Sequence, residues 1–334
     1  ALFLFAGAEV WVVDARAGDV EQERAHGHGL HLWRQLHERA ARLVEALLTR
    51  CLLRIGRTER FFITELELYY RDDKAWPDPF THGDEMQLTA ARWYFHRSGS
   101  AYKGGTYKGL DITCGVARSG TYGGLLIRGL RELGGGGSVI DGPCLCVDRI
   151  LATNKAPSIA DFVRTCLPAG ERDTSVLDAS AQALWIEDLG RPHEAGPGRL
   201  FCTPRFGLTL KAKGCSAATN KLKEEYLFAR LRAVTTKTCS KKGRVHALLS
   251  LIMCDGATPE SAAKDTNSRL NDARAVADRA KAALEAAKAL GADPRARFAA
   301  FYGKDTPRDD WEMLFAVAHL CGLDKPLIPA GAQQ

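Results

Sequence analysis

Residues 61–70, FFITELELYY, have the composition of a buried strand. At period two, however, Ile63, Glu65, Glu67 and Tyr69 fall on one face, and Phe62, Thr64, Leu66, Leu68 and Tyr70 on the other. Two carboxylates and a phenol therefore stand where one face would otherwise carry apolar side chains. In residues 123–131, GGLLIRGLR, the same period groups Gly124, Leu126, Arg128 and Leu130, which leaves Arg128 as the lone charge among apolar neighbours. An arginine turned inward needs an anion, and the acids of the first strand supply one. A carboxylate beside a guanidinium can take a proton from water and stabilise a developing cation. On these residues alone, a solvated strand face and a surface arginine with a buried stem satisfy the same pattern.

Elements on either side must position those strands. Residues 30–54 place Leu32, Leu36, Ala40, Leu43 and Leu47 at helical intervals, which predicts an amphipathic helix leading into the acid-bearing strand. Further strands are expected at 109–115, 123–131, 201–212 and 226–234. Because strands cluster rather than alternate with helices, the pattern predicts an α+β fold and disfavours a doubly wound parallel sheet. Four glycines at 134–137 mark a loop. Beyond about residue 250 the chain turns helical. Thr258-Pro259 and Thr306-Pro307 each read as an N-cap followed by Pro at the first helical position, and Thr306 with Asp309 as a capping box. The Ala-rich residues 266–290 between them read as helix ending at Gly291. The expected organisation is an N-terminal extension (1–29), a main domain (30–250) and a helical C-terminal appendage (251–334).

With 334 residues and 46% apolar content the chain can build a substantial core, and its net charge of +6 is unevenly placed. Residues 211–244 hold ten Lys and Arg against two Glu, so the rest of the chain is slightly acidic. Such a run suits a polyanionic partner or a solvated lysine-rich face. Ten cysteines show no repeated spacing, and Cys144 and Cys146 form a C-x-C without a second pair. This predicts reduced, mostly buried thiols in a reducing compartment and no metal site. The opening ALFLFAGAEVWVVDA holds Glu9 and Asp14 and is too short to span a bilayer, so no membrane partner is expected.

Six segments, in order, resemble the alkyladenine (3-methyladenine) DNA glycosylase family: ARLVEALLTRCLLR, TELELYY, His82, YKGGTYKGLDITCG, GGLLIRGL and DGPCLCVDRIL, with TPRFGLTL similar to the closing strands. The resemblance covers about residues 40–235. It implies a compact α+β domain with a curved antiparallel sheet and no cofactor. The implied activity is monofunctional hydrolysis of an N-glycosidic bond in double-stranded DNA carrying a damaged or modified base, by a monomer, in base excision repair. The implied location is nuclear, with an organellar address left open.

Carried over residue by residue, Glu67 matches the acid that activates water and Arg128 the arginine that helps hold it. Tyr69 and His82 match the rings on either side of the extruded base. Asp111 stands where the family commonly has an Asn in the base pocket, which implies a different recognised base. The inserted tyrosine of the family corresponds to Tyr102 or Tyr107. Arg92, Arg97, Lys103 and Lys108 would contact flanking phosphates. Trp76, Phe80, Trp93, Tyr94 and Phe95 fall near the implied groove or pack in the core. Glu65 shares the strand face but matches no catalytic position. Two other readings are a catalytically inactive nucleic-acid-binding protein on the same scaffold and a small-molecule enzyme with an unrelated α+β fold.

Overall fold

The computed structural model describes residues 2–5, 8–11, 28–134, 138–167, 169–194, 196, 198–211, 214–236, 238–304 and 310–327, with side chains from His37 onward. By contacts the chain forms two compact units, residues 1–77 with 81–198 and residues 78–80 with 199–334. The fold is α+β, as the clustering of strands predicts.

A curled antiparallel sheet organises the first unit. Its strands run in the order Leu184–Asp188, Cys51–Ile55, Glu59–Asp72, Tyr122–Glu132, Leu110–Thr113 and Trp93–Phe95. The two longest strands lie at the centre, and residues 61–68 are buried on both faces. Helix His28–Thr49 packs against Glu59–Asp72 through a stripe that includes the buried Leu43, Val44, Leu47 and Leu48. Helix Pro143–Thr153 packs against Tyr122–Glu132. Burial on both faces explains why the central strand is apolar almost throughout, and it places the two acids in the interior.

Three element boundaries differ from the sequence reading. The expected helix over 30–54 ends at Thr49, and Cys51–Ile55 is a strand paired on both sides. The expected strand over 201–212 is confined to Leu200–Thr203, because Pro204 has no N–H for a ladder. The expected strand over 226–234 begins only at Arg232. Its first residues complete helix Ala217–Phe228, whose N-cap Ser216 accepts a hydrogen bond from Thr219 N at 3.1 Å.

In the second unit the antiparallel pair Leu200–Thr203 and Arg232–Thr235 joins a set of helices. Thr258 caps Pro259–Thr266 by accepting from Ser261 N at 3.2 Å, as its Thr-Pro signature predicts. Asn267 then breaks the helix in the left-handed region (φ 51°), and Leu270–Lys288 follows. The small buried residues Ala273, Ala280 and Ala283 let this helix approach Trp311–Leu320 closely. One apolar core includes Phe201, Phe228, Val234, Leu251, Ala280, Phe298 and Phe315. The compositional change near residue 251 therefore falls inside a single core, and the division by contacts lies at residue 198. The capping box at Thr306 and Asp309 and the glycines at 135–137 lie outside the described residues.

Candidate active site

Glu65, Glu67 and Arg128 meet in the interior of the first unit, with exposures of 1%, 0% and 6%. Arg128 Nε donates to Glu65 Oε1 at 2.8 Å, and it lies 3.4 Å from Glu67 Oε1. Arg128 Nη1 reaches Glu67 Oε2 at 3.5 Å, and the Tyr69 hydroxyl donates to that same oxygen at 2.9 Å. Strand register explains the gathering. Glu67 pairs with Leu126 and Tyr69 with Gly124, but the register shifts around Gly129, so that Glu65 faces Gly129 and Arg128 is passed over. This bulge turns Arg128 toward both acids. Gly129 is required there, since a Cβ would stand 2.5 Å from Thr64 Oγ1. Burial is the largest influence on the Arg128 pKa and works to lower it. The Glu67 and Glu65 charges outweigh burial and leave it raised, so the guanidinium stays charged.

A second cluster forms around Asp111. His96 Nε2 lies 2.8 Å from Asp111 Oδ1, and Gln87 Nε2 donates to Asp111 Oδ2 at 3.4 Å. Both carboxylate oxygens are thereby engaged. The His82 ring meets His96 edge-on with centroids 4.7 Å apart, and Tyr94 lies 5.5 Å from His96. Two glycines make room. A Cβ at Gly124 would stand 2.4 Å from Asp111 Oδ2, and one at Gly109 would stand 2.6 Å from His96 Nδ1. His82 is solvent-exposed as a residue, yet its ring is crowded by protein. That desolvation, with the neighbouring His96 and Lys103 charges, lowers its pKa to about 4, against the opposing pull of Asp111 and Asp84.

The clusters share one face of the sheet. Glu67 pairs with Leu126, Leu126 with Asp111 and Asp111 with Tyr94, and directly paired residues of antiparallel strands point the same way. Two strand spacings, roughly 10 Å, separate Glu67 from Asp111. Gly124 lies between Tyr69 and Thr113 and adds no side chain to that face.

The residues matched to phosphate contacts fare differently from one another. Arg97 is paired with the buried Glu171, which also accepts from the Tyr102 hydroxyl at 2.8 Å. Lys108 is paired with Asp148, and Arg92 donates to the carbonyls of Arg172 and Ala91 at 3.0 Å each. Lys103 is partly exposed and close enough to His82 to influence its proton. Of the two tyrosines, Tyr102 is tied down by Glu171 and Arg97, whereas Tyr107 is 77% exposed at the end of the turn Gly105–Tyr107. Trp76, Trp93, Tyr94 and Phe95 are buried, and Phe80 packs in the core of the second unit.

No protein-family model matches the chain. An uncharacterized protein of Acanthamoeba polyphaga mimivirus is 33% identical over 182 residues, which cover 51% of this chain and 78% of that protein. The chain belongs to the family of that mimivirus protein.

Two residues of the site escaped the sequence reading, and one was underrated. Glu65, matched to no catalytic position, is the nearer partner of Arg128, a fact set by the bulge. His96 and Gln87 converge on Asp111 from sequence distances of 15 and 24 residues. Their only sequence signal is the cluster of titratable groups between His82 and Asp111. Among the described residues, one group has metal-ligand spacing. It comprises Cys254, His319 and Asp324 of the second unit, whose ligand atoms lie within 4.8 Å of one another. Asp324 Oδ2 already accepts from Cys254 Sγ at 2.9 Å and lies 2.7 Å from His319 Nδ1. No helix among the described residues is long and apolar enough to cross a membrane.

Proposed function

We propose that this chain is a monofunctional DNA glycosylase that extrudes a damaged or modified base from duplex DNA and hydrolyses its N-glycosidic bond. The observation that carries the reading is the buried Glu67, held by Arg128 and Tyr69 on the sheet face that also bears Asp111. Extrusion costs a few kcal/mol, least for damaged or mispaired bases, and stacking against Tyr69 and His82 returns roughly 1–3 kcal/mol per base. As the C1′–N bond breaks, its electron pair leaves with the base and the sugar becomes oxocarbenium-like. Glu67 stabilises that cation and takes a proton from the attacking water, whose oxygen bonds to C1′. Arg128 orients the water. A neutral His82 can lie against a base without adding charge.

Asp111 serves mainly to hold His96, since both its oxygens have partners. His96 therefore replaces the Asn of the alkyladenine glycosylases as the group nearest a base edge. Tyr107, on its exposed turn, is the tyrosine that inserts into the duplex, and Lys103 contacts phosphate. The test is a screen of duplexes containing hypoxanthine, 3-methyladenine, ethenoadenine or modified cytosines, read as abasic sites formed in a single turnover. Excision of one such base, lost in Glu67→Gln, supports the reading. A failure of every duplex, with no salt-dependent DNA binding, would overturn it.

A further inference from the structure

The second unit contains a pocket of about 670 Å³ whose lining is unrelated to Glu67 and Arg128. That volume is within the usual range for small-molecule sites. Three ring side chains line it. His246 stacks on Trp311 with centroids 4.3 Å apart at 23°, and Phe206 meets His246 at 5.7 Å. The lining also carries Lys241, Lys242, Arg244 and Arg279 with one acid, Glu312. Arg279 Nε donates to Glu312 Oε1 at 3.0 Å, and Lys242 and Arg244 add positive charge beyond that pair.

The basic wall is held in shape. Arg232, fully buried, donates to the carbonyls of Gly243 and Lys242, each at 3.4 Å. Gly243 lies in the left-handed region (φ 79°), and a Cβ there would stand 2.3 Å from Arg232 Nη1. Trp311 is 8% exposed. Its Nε1 and the Nε of Arg244 are buried with no hydrogen-bond partner among the described residues.

A lining that combines donors, surplus positive charge and aromatic rings selects a ligand that combines acceptor oxygens, negative charge and a flat ring. We propose that this pocket binds a nucleoside phosphate, with the phosphate on Lys242 and Arg244 and the base against Phe206. The end of the basic run 211–244 thereby acquires a specific task. Nothing in the proposed base excision uses these residues, and the two readings stand or fall separately.

Isothermal titration calorimetry on the full chain tests this. The four common nucleoside 5′-monophosphates and their triphosphates form one arm, and inorganic phosphate, the matching nucleosides and a single-stranded 12-mer form the others. At least one nucleotide should bind saturably, one per chain, and at least about tenfold more tightly than its nucleoside or phosphate alone, because both the charged and the aromatic contacts are then made. Lys242→Ala with Arg244→Ala should weaken that binding at least about tenfold at an unchanged melting temperature. If the double variant unfolds, the exposed Lys242→Glu alone must show the loss. No saturable nucleotide binding, or unaltered affinity in the variants, overturns the proposal. So does a 12-mer that binds with steep salt dependence while mononucleotides do not, which would make the pocket a backbone contact.

Discussion

Arg205 and Arg128 are both buried against carboxylates, one in each unit, and the geometry of their contacts differs. Arg205 meets Asp78 through two hydrogen bonds, Nη1 to Oδ2 at 2.6 Å and Nη2 to Oδ1 at 3.1 Å, and both side chains are 0% exposed. Its Nη2 also donates to the Tyr226 carbonyl at 3.1 Å, while Asp78 Oδ1 accepts from Phe80 N at 3.0 Å. That pair is bidentate, the arrangement that best offsets desolvation. Arg128 is instead shared between two carboxylates, with Nε 2.8 Å from Glu65 Oε1 and 3.4 Å from Glu67 Oε1. A tight contact suits a pair that holds the fold, and a looser one suits an acid that is to accept a proton.

Removing the Glu67 charge is the sharpest way to break the contrast. Glu67→Gln keeps size and hydrogen-bonding capacity, and single-turnover excision should fall by about 10²–10⁴-fold, the usual range for a general base. Thermal stability should change little, because Arg128 keeps its 2.8 Å bond to Glu65. A Glu67→Gln variant that excises at the parental rate would make both acids structural.

The opposite expectation applies to the second unit. Arg205→Ala takes two charge-assisted hydrogen bonds from the buried Asp78 and should cost about 3–5 kcal/mol of stability in urea denaturation. Replacing both partners with apolar residues, as in Asp78→Leu with Arg205→Met, should recover most of that loss. Cutting the chain at residue 251 would divide the core that joins Phe201 to Phe315. A truncation meant to isolate the first unit belongs at residue 198. A loss below about 1 kcal/mol in Arg205→Ala would place this pair among interactions with little bearing on the fold.

Glu65→Gln sharpens the comparison further. Its amide oxygen can still accept from Arg128 Nε, but the stronger charge-assisted bond is lost. At about 1.5 kcal/mol this should slow excision about tenfold by misplacing Arg128. The variant's KM should hardly move, which marks Glu65 as a positioning residue. An unchanged rate would leave Arg128 held by Glu67 alone.

The period-two alternation of residues 61–70 was enough to put Glu65, Glu67 and Tyr69 on one face, because strand geometry forces it. Which acid the arginine prefers was not legible, since the bulge at Gly129 depends on how two strands register. His96 and Gln87 reach Asp111 only once the Trp93–Phe95 and Leu110–Thr113 strands pair and the turn Glu85–Leu88 forms beside them. The misread strand at 226–234 has a local cause. YLFARLRAV is rich in strand formers, but Ser216 starts a helix upstream that runs through Phe228. The unit boundary was hidden for a related reason. The basic run 211–244 masks the apolar positions Leu227, Phe228 and Val234 that join the second core. The same core residues explain why composition changes near 251 without a structural break.

The smallest expected effect concerns His82. Its pKa is lowered to about 4 in the folded protein from an ordinary 6.5, first by desolvation and then by the His96 and Lys103 charges. Between those two values the unfolded chain binds a proton that the native ring refuses. Stability from this group is therefore full above about pH 6.5 and declines as pH falls toward 4. Because the residue is exposed, the change is small, and a titration of the ring by NMR reads it better than a melting curve. The His82 Cε1 proton should shift with a midpoint near 4, and excision should show no His82-linked step between pH 8 and 5. Lys103→Met removes one of the opposing charges and should move the midpoint upward. A midpoint near 6.5 in the parent protein would make His82 an ordinary solvated imidazole, too often charged to serve as one wall of a base pocket.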